Sequence, residues 1–269
     1  MRAWWRLTVR RGPARLGAFT LATSGSAEGT WRRVRASDGR PCAARSRDCL
    51  RLPRARAAGA AVSVGPRIYL LGGVEPYRRS PDPVNQSIRT TDSVLYLDPD
   101  RTPLRWRRAP RLNDPREHFN AVVGRGRIWA FHGRNERSTH MRQVESWSPG
   151  ARRWRRDPEA PAGTSANILG AVGSCVYSFG GEFTANNITG TMNASQAFHL
   201  PTRSWRRVRS DVRKEPLDAS GATTKHGTYG VVFEEDSSMR IMAPGGAPTA
   251  WFDPTSKVHV FTPPQRGCR

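Results

Sequence analysis

Six histidines, four cysteines and three Asn-x-Ser/Thr triplets are the residues of this 269-residue chain whose types could do chemistry. The histidines are His118, His132, His140, His199, His226 and His259. None stands in H-x-H or H-E-x-x-H spacing, so no close pair of metal ligands is offered. Gly124-Arg125-Gly126 is a lone tight turn, not a loop that cradles phosphate, and neither paired carboxylates nor a nucleophile elbow is recognisable. Cys42 and Cys49 have six residues between them. They form a local disulfide in an oxidising compartment or stay surface thiols in a reducing one, and Cys268 is left odd. The triplets at Asn85, Asn187 and Asn193 are glycosylation sequons and favour secretion. Residues 1–27 make a poor signal peptide, with five arginines and no acid, so organelle import is the competing reading.

A second set of residues gains meaning only from its place in the fold. Arg116, His118, Arg134, Glu182 and Lys225 stand at strand starts or just after glycine doublets. The two arginines have the donors to hold a carboxylate, a phosphate or sugar hydroxyls. The competing reading is structural, with Arg116 capping its own loop.

The elements that would position these residues repeat. Trp-Arg-Arg occurs at Trp31, Trp106, Trp154 and Trp205. In phase with it run the doublets Gly72-Gly73, His132-Gly133, Gly180-Gly181 and Gly245-Gly246, each after a short apolar run. Alternating segments ending in proline follow, at 94–99, 144–149, 197–201 and 251–254. Small apolar runs precede the doublets, at 59–62, 119–123, 168–172 and 229–232. Four strand-like runs recurring in one order, with a period near fifty, make a blade of four antiparallel strands. The small inner strand suits crowding at an axis, and the doublet suits a close approach of backbones.

This pattern resembles the kelch family of β-propellers over residues 52–261. Pro115-Arg116-Glu117-His118-Phe119 and Val176-Tyr177-Ser178-Phe179-Gly180-Gly181-Glu182 look like galactose-oxidase-like members. The expected fold is all-β: a kelch-type propeller of about four complete four-stranded blades plus an N-terminal half-blade at 18–22 and 30–34, truncated or open. In that reading residues 1–13 are an N-terminal extension, 14–263 the propeller and 264–269 a tail. Val258 to Phe261 is read as the outer strand of the last blade. Copper radical oxidases of the superfamily need a Cys–Tyr cross-link at the axial mouth. Cys175, the one cysteine inside the regular blades, falls on the opposite face.

Antiparallel blades put the second-to-third loops and the interblade stretches on one face. That face carries the long segments 74–92, 134–142, 182–194, 36–57 and 210–225, whereas the other carries short turns. The expectation is a non-enzymatic binding module that presents this face to a protein or carbohydrate partner and needs no cofactor or metal. The alternative is a carbohydrate-active or galactose-oxidase-like enzyme. A third reading, an arginine-rich scaffold on nucleic acid, comes from the net charge of +22. The 41 arginines against three lysines form no block, and eight lie in the Trp-Arg-Arg repeats, on the rim. No stretch approaches the length of a transmembrane helix.

Overall fold

The computed structural model describes residues 33–43, 46–76, 88–135, 139–185, 188–192, 195–208, 226–247 and 254–268. The 18–22 strand, the start of the 30–34 strand, the acceptor asparagines of the three sequons, Lys225 and Trp251 lie outside them. Among the described residues the fold is all-β, with four antiparallel sheets arranged as a four-bladed propeller.

Blade 1 holds β1 (Ala60–Val64), β2 (Arg67–Leu71), β5 (Val94–Leu97) and β6 (Arg107–Ala109) in that order. A two-stranded ribbon of β3 (Val74–Pro76) and β4 (Ile88–Thr90) rises from its second-to-third connection. Blade 2 holds β7 (Asn120–Gly124), β8 (Arg127–Phe131), β9 (Val144–Trp147) and β10 (Arg155–Asp157). Blade 3 holds β11 (Ile168–Val172), β12 (Cys175–Phe179), β15 (Ser195–His199) and β16 (Ser204–Arg207), with a ribbon of β13 (Glu182–Ala185) and β14 (Ile188–Thr191). Two stretches that read as loops are therefore partly strand. Blade 4 has three described strands: β17 (Val231–Glu235), β18 (Ser238–Pro244) and β19 (Val258–Phe261). This corrects one assignment, because Val258–Phe261 pairs directly with β18 and is the third strand, not the outer one. The proline-ended segment 251–254 has the pattern of a third strand, so the next apolar run takes the outer place in the sequence reading.

The second glycine of each doublet has one physical cause. A Cβ on Gly73 would stand 2.4 Å from the main-chain oxygen of Ala57. On Gly181 it would stand 2.5 Å from that of Ser165, and on Gly133 2.9 Å from that of Glu117. In each blade the residue before the inner strand bridges to the residue after the doublet: Ala57 to Val74, Glu117 to Arg134, Ser165 to Glu182 and His226 to Ala247. Only glycine lets those two backbones meet.

Apolar residues fill the spaces between blades. Tyr69 and Leu71 of blade 1 pack with Ile128, Ala130, Trp147 and Trp154 of blade 2. The alternate residues Trp129 and Phe131 turn to blade 3 and meet Leu169, Val176 and Phe198. Tyr177, Phe179 and Ala197 of blade 3 meet Ile241 and Ala243 of blade 4. A period-two strand thus uses both faces, which is why the middle strands read as continuous apolar runs. Each such aromatic or aliphatic side chain contributes about 1.5–3 kcal/mol on burial.

The outer tryptophans add interblade hydrogen bonds. Trp154 Nε1 donates to the oxygen of Pro110 at 2.8 Å, and Trp205 Nε1 to that of Pro158 at 3.0 Å. All four cysteines are paired. Cys42 bonds Cys49, and Cys268 bonds Cys175 at the start of β12, so the tail after β19 is tied back to blade 3.

Candidate functional site at the axial mouth

One residue per blade, just ahead of the inner strand, adopts a left-handed backbone. These are Ala58 (φ 53°), His118 (48°), Ala166 (49°) and Gly227 (70°). Their main chains are linked from blade to blade. The N–H of His118 donates to Ala58, that of Ala166 to His118 and that of Gly227 to Ala166, at 2.7–3.0 Å. Three of these positions carry a methyl group or nothing. His118 is the one with a functional side chain, and it is 39% exposed.

Around His118 the bridging residues of blades 2 and 3 form a polar network. Glu117 meets both His118 Nδ1 and Arg134 Nε. Arg134 Nη1 donates to Glu182 at 3.0 Å. Ser165 Oγ donates to Glu182 at 3.1 Å and lies 2.9 Å from His140 Nδ1. Burial, with Arg134 second, holds the His118 imidazole below its usual range against the pull of Glu182. Burial pushes His140 down to about 4, with Glu182 opposing and Arg134 assisting. Both imidazoles are thus neutral at pH 7, and the one cation, Arg134, faces two carboxylates. Despite a net charge of +22 on the chain, this network has no surplus positive charge.

The arrangement offers donors and acceptors without an activated nucleophile. Ser165 is fully buried, and Glu182 bonds the serine instead of orienting His140. A hydrolytic relay has the carboxylate on the base, and here it sits on the serine. Below the mouth, the four inner strands and their approaches border an open axial cleft of about 520 Å³, lined by Val62, Ala121, Gly170 and Val232 among others. Tyr229, 59% exposed, also faces it.

Of the residues singled out from sequence, His118, Arg134 and Glu182 come together here. Arg116 does not reach the mouth. It is fully buried, and its guanidinium donates to Glu145 at 2.5 Å and to the oxygens of His132 and Gln143 at 3.0 Å. Glu145 also accepts from Asn113 N and Nδ2 at 2.7 Å and from Asp114 N. Lys225 lies outside the described residues. Glu117 and Ser165 have no place in the sequence reading of the mouth, and His140 enters it only as one of the six histidines. The repeat held the signal for two of them, since Glu117 stands to Arg134 as Ser165 stands to Glu182.

His132 and His199 serve the scaffold. His132 is buried and meets Ser178 Oγ at 3.1 Å, and His199 meets Thr202 Oγ1 at 2.8 Å. No group of three His, Cys, Asp or Glu among the described residues could hold a metal ion. On the rim, Arg107, Arg108, Arg155 and Arg156 are exposed, and Arg156 pairs with Asp114. Compared with family models and with curated proteins, the chain matches none.

Proposed function

We propose that the chain is a kelch-type, non-enzymatic binding module that takes a neutral, hydroxyl-rich ligand, a carbohydrate, at the axial mouth. The observation that carries this reading is the network of Glu117, Arg134, Glu182, Ser165 and His140 around the partly exposed His118. Its one guanidinium faces two carboxylates, so the network carries a formal surplus of negative charge, which disfavours an anion. Its mixed donors and acceptors suit hydroxyl groups, and the main-chain hydrogen bonds that link Ala58, His118, Ala166 and Gly227 limit the entropy lost on binding. Exposed Tyr229 adds an aromatic face of the kind that stacks on a sugar.

The oxidase-like alternative needs a cysteine free to bond a tyrosine, and all four sulfurs are committed to disulfides. Those two disulfides favour an oxidising compartment. The test is calorimetric titration of neutral oligosaccharides into the full chain. His118→Ala should weaken binding at least tenfold, while Arg107→Glu, on the rim, should leave it within twofold. Equal effects from the two variants, or no binding of any neutral oligosaccharide, would overturn the reading.

A further inference from the structure

A second cavity, of about 670 Å³, opens on the flank of blade 1, away from the axial mouth. The repeat itself indicates what it should hold. In blade 2 the buried Arg116, two positions before the left-handed residue His118, meets the carboxylate of Glu145 on the third strand. The same position in blade 1 is Arg56, two before Ala58. Its side chain is only 3% exposed, and it lines the cavity.

The position of Glu145 is fixed by pairing. Val144 pairs with Phe131 as Val94 pairs with Leu71, so Glu145 corresponds to Leu95. Leu95 lines the cavity too. Blade 1 therefore keeps the buried arginine but lacks the carboxylate on its third strand. Arg56 reaches instead to the buried carboxylate of Glu75 at 2.5 Å and to Ser93, and its Nε, like that of Arg116 in blade 2, is buried without a hydrogen-bond partner. Thr90 Oγ1, also on the cavity wall, is a second buried polar atom without one. Such groups are costly to leave unmade.

The rest of the wall is cationic and has an aromatic side. Arg54 and Arg108 are exposed there beside Trp106, whereas Arg111 is paired with Asp92. We propose that this cavity binds a small carboxylate-bearing ligand, whose carboxylate takes the place that Glu145 fills in blade 2 and whose body lies along Trp106. The proposal is independent of the one at the axial mouth and uses none of its residues.

The test titrates glucuronate, glucose and inorganic phosphate separately into the full chain. Glucuronate should bind at this cavity, and any glucose binding, at the axial mouth, should be unchanged by Arg108→Glu. Leu95→Glu installs an internal carboxylate where blade 2 already folds with one, so it should close the site and weaken glucuronate at least tenfold. Leu95→Met should keep the affinity within threefold. Arg108→Glu should weaken it at least tenfold, and Arg107→Glu, its strand neighbour on the other face, should change it less than threefold. Absence of glucuronate binding overturns the proposal, as does loss of equal size in the Arg107 and Arg108 variants. Phosphate binding without glucuronate binding replaces the carboxylate by a phosphate and overturns the assignment of class. If Leu95→Glu misfolds by circular dichroism, the Arg107 and Arg108 pair decides.

Discussion

The indole nitrogen of Trp154 donates to the main-chain oxygen of Pro110 on the preceding blade at 2.8 Å. The residue that marks the repeat in the sequence is thus also the one that closes the outer seam between two blades. Trp154→Phe keeps most of the buried ring and removes the donor, leaving the Pro110 oxygen unpaired. It should lower stability by about 1 kcal/mol. Trp154→Ala also empties the seam and should cost about 3–5 kcal/mol. Urea denaturation of both variants measures the difference.

Arg116 and Glu145 form a fully buried ion pair. Removing one partner strands the other charge, so Arg116→Met or Glu145→Gln should each destabilise by about 3–5 kcal/mol. The double variant Arg116→Met/Glu145→Leu should recover part of that loss, because no lone charge is left. A double-mutant cycle in denaturant checks this. The pair does not touch the mouth, so ligand affinity per folded molecule should stay the same.

His132 stands in a left-handed backbone conformation (φ 62°) where the other doublets have glycine, and it is fully buried. Burial, with Arg116 assisting, depresses its imidazole to about 4, against a contribution from the main chain of Met141. The unfolded chain therefore binds a proton between about pH 6.5 and 4 that the folded chain does not. Stability should fall as pH drops through that window, by about 3 kcal/mol from this group at most. Asparagine tolerates the same backbone and does not titrate. His132→Asn should flatten the dependence of Tm on pH between 6.5 and 4; an unchanged slope would assign it to other groups, His140 foremost.

Cys268→Ser frees the tail from blade 3. The lost cross-link closes a loop of sequence separation 93. Its removal should cost about 2–5 kcal/mol. Reducing agent should lower the Tm of the parent chain more than that of the variant. Peptide mapping without reduction should recover the Cys175 and Cys268 peptides as one species.

The parts of this fold visible in sequence were those set by local geometry. The doublets, inner strands and Trp-Arg-Arg segments recur because each blade meets the same backbone approaches and the same seam. Parts set by contacts between distant residues were not visible. Arg116 carried the donors of a ligand-binding residue, and only the fold shows Glu145 buried beside it. Cys268 looked odd because pairing across 93 residues leaves no local mark. The third strand of blade 4 looks like an outer strand in sequence because the proline-ended segment 251–254 before it has the third-strand pattern. At the mouth, Glu117 and Ser165 are ordinary polar residues until their common bridge position is known.

The shared left-handed position gives the mouth a modular character. Ala58, His118, Ala166 and Gly227 are the same backbone position presented by successive blades. A side chain exchanged between them keeps its backbone geometry and changes only its bearing around the axis. Moving the imidazole from 118 to 58 or 166 would rotate the recognition surface by one blade, on an unaltered scaffold. On the proposed reading, a single substitution at one of these four positions would change the face offered to a ligand without touching the seams that hold the blades together.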